Sequence, residues 1–400
     1  MQTPQLQNGR ATRRGRRANR RTAAAGRTIG TLGLAAATVM TVAACGSDNN
    51  SAAAAAGTGA AAAAQDFQVD CADARALSAA GSSAQKNAMD QFTAAYIAAC
   101  GDQGANLAYT ASGSGDGRKQ FIADQVDFAG SDSAITGEQQ QQAMARCGGG
   151  EVWNLPMVFG PVALAYNLPG VDGLVLDGPT AAKIFSGQVT TWNDPAIAAL
   201  NPDAALPATP IGVVYRSDSS GTTDNFQTYL ETASDGVWTQ GAGSDFVGGV
   251  GNGSKGSAGV AQAVSSAEGS ITYVEASFAT QSGLQTARID SGAGPVELTP
   301  ETAATAISQV EFVNPGSNDL AMDLTSIYGT EEPGAYPLVL ATYEIVCGSG
   351  YDEQTAGAVK AFLNVAAGPG QKGLADIGYV PLPDDLRSTL TDAIDSITAG

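Results

Sequence analysis

The sequence predicts an α/β protein, and two observations carry that expectation. Short apolar runs alternate with segments of helical periodicity through most of the chain, a pattern of α/β layers rather than of a sandwich or a helical bundle. With 400 residues and ordinary apolar content, the chain can bury a substantial core and is long enough for two domains. No repeat of solenoid period appears, and no linker interrupts the middle of the body.

The amino terminus stands apart. Arg10, Arg13, Arg14, Arg16, Arg17, Arg20, Arg21 and Arg27 precede an apolar run from Ile29 to Ala44. Basic, then apolar, then small is the order of a signal peptide, read here over residues 1–44. The run is shorter than the ~20 residues a membrane-spanning helix needs. It ends on Val42-Ala43-Ala44-Cys45-Gly46-Ser47, which resembles the lipobox of bacterial lipoproteins and marks Cys45 as the lipid-carrying residue. Sec and twin-arginine export both stay open. Residues 45–65, rich in Ala, Gly, Ser and Asn, read as a flexible tether.

The folded body is expected from Asp66 onward. Ala76–Ala80 reads as a strand, and residues 85–99 as a helix with Ala88, Met89, Phe92, Ala95, Tyr96 and Ala99 on one face. Asn106–Thr110 is a second strand, followed by a helix running through Phe121, Ile122 and Val126. Residues 158–167 and 211–215 are further strands, Tyr336 to Val346 is strand-like, and Thr355 to Ala366 is helical.

Charge narrows the function. The leader holds eight of the twenty basic residues and none of the thirty-nine acidic ones, leaving a body with twelve against thirty-nine, a net charge of about −27. That excludes the clustered cations on which nucleic-acid binding depends. Any anion must be held locally, by hydrogen bonds and dipoles. Cys71, Cys100, Cys147 and Cys347 are even in number and expected outside the cell, which favours two disulfides. Three pairings are open, with Cys100–Cys147 and Cys71–Cys347 preferred. With no CxxC and no histidine in the chain, neither a metal nor another cofactor is expected.

Four loops rich in Gly, Ser or Thr lead into helical patterns: Gly81-Ser82-Ser83-Ala84, Ser112-Gly113-Ser114-Gly115, Ser219-Ser220-Gly221-Thr222-Thr223 and Gly251-Asn252-Gly253-Ser254. Each offers backbone N–H groups, hydroxyls and the positive end of a helix dipole, which together suit a phosphate-like anion. Each also reads as an ordinary N-cap, since Ser and Thr are common caps. In the third loop Arg216 and Asp218 come first, and a guanidinium beside hydroxyl donors suits bidentate contact with an oxyanion; a plain ion pair of Arg216 with Asp218 is the other reading. Asp132, in Gly130-Ser131-Asp132-Ser133, makes sense beside an anion only if the anion carries a proton, as hydrogen phosphate does and ionised sulfate does not. It could equally cap the turn before Ile135.

Taken in order, these segments resemble the phosphate-binding protein of the bacterial ABC phosphate transporter, in its lipoprotein form. The similarity runs from about Leu77 to Leu386 and includes Ala76 to Ser83, Gly113-Ser114 with Lys119-Gln120, Val126 to Asp132, Ile184 to Pro195, Arg216 to Thr222, Asn167 to Gly170 and Gly269 to Glu275. The resemblance implies a two-lobed, hinged fold of the type II periplasmic-binding-protein kind, with the ligand in the interlobe cleft. Lobe I would be 66–157 plus 336–400, and lobe II 158–335. Ser83, the Ala84 amide and Ser114 would hold phosphate from one side, and Asp132 would accept its proton. Arg216 would pair with the anion, steadied by Asp218, with Ser220, Gly221 and Thr222 completing the far wall and Ser82 in support. The family usually has a larger apolar residue at Ala84, a Ser at Gly115 and a Gly at Asp116.

The implied protein is not an enzyme. It would be a monomer, lipid-anchored on the outer face of the cytoplasmic membrane, with phosphate and the membrane subunits of an ABC permease as partners and no nucleic acid. Sulfate or molybdate binding is the rival within the class. A secreted phosphatase or hydrolase would lack a histidine base and a GxSxG elbow and would need Lys119, Lys183 or Lys255 beside a loop serine. A surface adhesin on the same anchor is a third reading.

Overall fold

The computed structural model describes residues 69–400; the expected leader (1–44), Cys45 and the tether lie outside the described residues. The first third alternates strand and helix: β1 (Ala76–Gly81), α1 (Lys86–Cys100), β2 (Asn106–Thr110), α2 (Ser114–Ile122), β3 (Phe128–Ser131) and α3 (Gly137–Arg146). A long strand, β4 (Val152–Asn167), follows, then β5 (Val175–Asp177), α4 (Gly178–Phe185), α5 (Pro195–Leu200), β6 (Gly212–Arg216) and α6 (Gly221–Ala233). Next come β7 (Asn252–Ser254), α7 (Gly256–Ser265), β8 (Ser270–Glu275), α8 (Ala276–Gln281), β9 (Gln285–Thr286), β10 (Arg288–Asp290) and β11 (Pro295–Val296). Then α9 (Pro300–Ile307), β12 (Glu311–Phe312), β13 (Met322–Asp323) and α10 (Thr325–Tyr328) lead to β14 (Val339–Cys347), α11 (Glu353–Ala367) and α12 (Asp384–Asp395).

The main sheet runs in the order β2-β1-β3-β14-β4-β8-β6-β7. β1 is parallel to β2 and β3, and β14 runs antiparallel to both β3 and β4. β4 serves both halves of the fold. Val152 to Pro161 pair with β14, whereas Val162 to Asn167 pair with β8, itself parallel to β6. Two lobes thus share one strand, and each places loops from its own parallel strands at the site. No helix among the described residues is long and apolar enough to cross a membrane.

Each half has its own aromatic core. In the first, Met89, Phe92 and Tyr96 lie on one side of α1 at helical spacing and are fully buried. Phe362 of α11 meets Tyr96 edge-on and stacks on Phe128 of β3 at 5.2 Å. In the second, Phe226 of α6 stacks on Tyr273 of β8 at 4.3 Å, with Phe185 of α4 beside both. Burying each such ring contributes roughly 2–3 kcal/mol. These cores hold β3 and β6, whose ends carry Asp132 and Arg216.

The structure corrects four readings. The helix expected through Val126 ends at Ile122, because Asp124 takes a left-handed conformation, φ 54°, and turns the chain into β3. The strand expected at 158 begins at Val152, since Pro156 sits opposite Tyr343 at a register shift in the β14 ladder, where a missing N–H is tolerated. The fourth glycine loop forms β7, and its helix starts only at Gly256. The disulfides are Cys71–Cys100 and Cys147–Cys347, with Cα separations of 5.4 and 5.6 Å, and not the preferred pairing. α1 runs back beside β1, so its last residue, Cys100, returns to the segment preceding that strand, where Cys71 lies. The end of α3 likewise comes to the end of β14.

Candidate functional site

Asp132 follows β3 and is 2% exposed. Its Oδ1 accepts from Ser82 Oγ at 2.5 Å and Thr342 Oγ1 at 2.8 Å, and its Oδ2 accepts from Ser114 Oγ at 3.0 Å. Where the ladder shifts register between Thr342 and Tyr343, the extra residue is Met157 of β4, so β14 keeps its alternation, and Thr342 faces the carboxylate. Burial pushes the Asp132 carboxyl above its ordinary value, while the hydroxyl donors and the Arg216 charge act against that rise. The neighbouring amides are partly used. Ala84 N–H donates to Ser82 Oγ at 3.0 Å, so the donor expected from Ala84 is engaged within its own loop.

Arg216 closes β6 and is also 2% exposed. Its Nε and Nη2 donate to the two oxygens of Asp218 at 2.8 and 2.5 Å. This bidentate pairing outweighs burial, keeping the guanidinium charged and the Asp218 carboxyl below its ordinary value. Asp218 Oδ1 also accepts the Gly256 N–H at 2.9 Å. The remaining guanidinium nitrogen, Nη1, makes only long contacts of 3.3 Å, to Thr222 Oγ1 and Ser257 Oγ. Ser220 caps α6, its Oγ accepting from Thr223 N–H at 3.1 Å. The next two amides, Gly221 and Thr222, have no hydrogen-bond partner among the described residues. One charged edge, two free amides and a helix dipole therefore point the same way.

The two faces touch. Gly221 lies so close to the opposite loop that a Cβ there would sit 2.6 Å from Asp132 Cβ and 2.7 Å from Ser114 Oγ. Ser83 Oγ shares a 3.0 Å hydrogen bond with Ser257 Oγ and accepts the Ser257 N–H at 3.0 Å. Gly115 N–H donates to the Ser219 carbonyl at 3.0 Å, and a side chain at Gly115 would strike Ser219 Cβ at 2.6 Å. That accounts for glycine where the family usually has serine. Asn225 Nδ2 donates to the Asp132 carbonyl at 2.7 Å and Ser133 Oγ to Asp224 at 2.5 Å. Asp132 thus has the α6 terminus, and through Thr222 the guanidinium, beside it. A groove of about 730 Å³ also borders Asp132, but Asp224, Glu311 and Asp323 line it and no basic residue does. It cannot be the anion site.

Sequence reasoning missed several members. Thr342 and Ser257 complete the two faces, and neither lies in a loop singled out for chemistry. Arg118 of α2, 7% exposed, donates to Ser131 Oγ at 2.7 Å and across the faces to Ser244 Oγ at 3.2 Å. Scarcity was the available signal, since it is one of twelve basic residues in the body. Glu275 is fully buried, with Oε1 accepting from Thr222 Oγ1 at 2.6 Å and Oε2 unpartnered. Burial raises its carboxyl, against the Arg216 charge. Of the lysines a hydrolase would need, Lys119 and Lys255 are exposed, and none of the three bonds a loop serine.

Residues 30–369 match the family model described as a PBP superfamily domain. The chain is 49% identical over 363 residues to the phosphate-binding protein PstS 3 of Mycobacterium leprae, covering 90% of this chain and 96% of the relative. It is 48% identical to the phosphate-binding protein PstS 2 of Mycobacterium tuberculosis, covering 82% and 89%. With the phosphate-binding protein PstS of Xylella fastidiosa it shares 34% identity over 78% of this chain and 82% of that one. Among solved structures, a high-affinity periplasmic phosphate-binding protein, PfluDING, aligns with a TM-score of 0.63 at 21% identity, covering 80% and 93%. A phosphate-binding protein from Stenotrophomonas maltophilia aligns at 0.62 with 20% identity, covering 79% and 93%. These structural likenesses speak to the fold.

Proposed function

This chain belongs to the PBP superfamily and, within it, to the family of its phosphate-binding relatives, and from that premise we propose that it is an extracytoplasmic protein that captures inorganic phosphate and delivers it to an ABC permease for import. The observation that carries the reading is the meeting of a buried carboxylate with a buried guanidinium and two free helix amides. An anion is held by the donors, and Asp132 admits it if it brings a proton.

The ligand residues on this reading are Ser83, Ser114, Asp132, Arg216, Gly221 and Thr222. Ser82 and Asp218 support them, Ser220 acts chiefly as the cap of α6, and Ala84 contributes through the shape of its loop. Lobe I is 66–157 plus 336–400 and lobe II 158–335. The division of β4 between β14 and β8 supports moving the crossing to about Val162. Lobe closure on the ligand would present a distinct form to the permease, binding energy shifting the equilibrium between open and closed. Export by the amino-terminal leader, lipid anchoring through Cys45 and a monomeric state complete the proposal.

Titration calorimetry of the purified protein with phosphate, arsenate and sulfate tests it. Phosphate should bind, arsenate should compete because it shares charge, shape and proton, and sulfate should not. Tight sulfate binding or steady turnover of a chromogenic phosphate ester would overturn the reading.

A further inference from the structure

Beneath the first loop runs a line of buried polar side chains that contacts no proposed ligand atom. Glu344 lies on β14, two residues beyond Thr342 and so on the same face of the strand, with Gly130 and Leu155 opposite it on the flanking strands. It is fully buried, and neither carboxyl oxygen has a hydrogen-bond partner among the described residues. The side chain of Gln85 lies against it, and Gln85 Oε1 is likewise buried and unpartnered. Three acceptor oxygens without a donor would be costly if Glu344 were ionised.

Neighbours fix which way the Gln85 amide points. Tyr109 OH donates to the Ser82 carbonyl at 2.7 Å, which leaves its oxygen as an acceptor, and that oxygen takes the Gln85 Nε2–H at 3.1 Å. Turning the amide over would set Oε1 against an oxygen with no proton to give. Oε1 is then left without a donor among the described residues, and a protonated carboxyl on Glu344, whose side chain lies against Gln85, would supply one. Donation then runs in one sense from Glu344 to Gln85 to Tyr109 to the Ser82 carbonyl. Ser82 is the residue whose hydroxyl donates to Asp132.

We infer that Glu344 is a positioning residue of the phosphate site: a neutral carboxylic acid whose proton, given to Gln85 Oε1, orients the Ser82–Ser83 loop through Tyr109. The inference rests on the phosphate reading above. Burial pushes this carboxyl up to about 8; the Gln85 side chain acts against the rise and the Asp132 charge adds to it. The titratable groups facing it are Asp132 after β3 and Tyr109 on β2. Burial pushes the tyrosine well above its ordinary value, so it keeps its proton. Gln85 and Thr342, the other polar groups, are neutral. Above pH 8 Glu344 would lose its proton, strip Gln85 of a donor and set a second negative charge beside Asp132, weakening an anion's hold.

Phosphate affinity of the full chain, measured by calorimetry at pH 7 and pH 9 for wild type, Glu344→Gln and Glu344→Leu, tests this. Glutamine keeps an N–H donor and cannot ionise, so it should match wild type at pH 7. Wild type should weaken relative to Glu344→Gln by about tenfold at pH 9, one unit past the titration; the ratio cancels phosphate's own titration. Glu344→Leu, with no donor, should be about tenfold weaker at pH 7. Parallel pH profiles for wild type and Glu344→Gln would overturn the inference, as would leucine binding as well as glutamine. Infrared spectroscopy supplies a second readout: wild type at pH 7 should show a protonated-carboxyl stretch that Glu344→Gln lacks, and its absence from wild type would also overturn the inference. If wild type binds no phosphate at either pH, the phosphate reading falls, and with it the role assigned to Glu344.

Discussion

The two faces of the site are built on opposite plans. On the face carried by β1, β2 and β3, every carboxylate oxygen of Asp132 already accepts a hydroxyl, and the charge is held by small neutral donors. On the face carried by β6, α6 and α7, the guanidinium spends one edge on Asp218 and leaves the other with contacts of 3.3 Å, beside two unpartnered amides. One face offers acceptors, with Asp132 Oδ2 taking a single hydroxyl and having room for a second donor, and the other has donors to spare. On the proposed phosphate reading, attraction would belong to the Arg216 face and discrimination to the Asp132 face, and a body with thirty-nine acidic residues would hold an anion through donors that act at contact range.

That contrast can be broken most forcibly at Arg216. Arg216→Ala leaves the half-buried Asp218 with only the Gly256 N–H, so it should cost about 1–3 kcal/mol in stability and weaken phosphate by roughly a thousandfold, about 4 kcal/mol. Thermal unfolding and calorimetry read both. Arg216→Lys should recover little, since an ammonium cannot span both oxygens of Asp218; full recovery would show that charge alone matters.

A smaller effect is expected where the faces meet. Gly221→Ala puts a methyl group against Asp132 and Ser114, an overpacking cost of about 2 kcal/mol, so phosphate should weaken roughly thirtyfold while each face keeps its own core. Unchanged affinity would mean the faces need not touch.

Glu344 makes stability itself depend on pH. Its carboxyl is raised when folded, so the stabilisation is fully present below the ordinary glutamate value and is lost as pH rises to about 8, at up to about 1.4 kcal/mol per unit. Glu344→Gln should flatten that slope in denaturant melts between pH 5 and pH 8.

The disulfides should matter least to binding. Both tie elements of the Asp132 face, and opening them should leave phosphate affinity within about threefold, because neither touches the ligand groups. Stability should fall by about 5 kcal/mol for the 200-residue loop and about 3.6 kcal/mol for the 29-residue one on chain entropy alone.

What the sequence revealed divides by the range of the interaction involved. β1, α1 and β2 were legible to within a residue because alternation and helical spacing are local. The anion loops were legible because glycine and hydroxyls before a helix have a chemical meaning of their own. The start of β4 was hidden by Pro156, which only a register shift excuses. The cysteine pairing, the hydroxyl of Thr342 on Asp132 and the burial of Glu344 all depend on β14 inserting between β3 and β4, some two hundred residues distant in sequence. No local pattern announces that. Arg118 and Ser257 were passed over for the same reason, since each acquires its role only when the opposite face arrives.

The division of labour is tested most directly by measuring phosphate and sulfate affinity on wild type and Asp132→Asn. An amide both accepts and donates, so the variant should lose about a hundredfold in phosphate affinity and gain sulfate binding, collapsing a preference that a site built for a proton can hold at roughly ten thousandfold. An unchanged ratio of the two affinities would contradict the account, because the carboxylate would then have no part in choosing the anion.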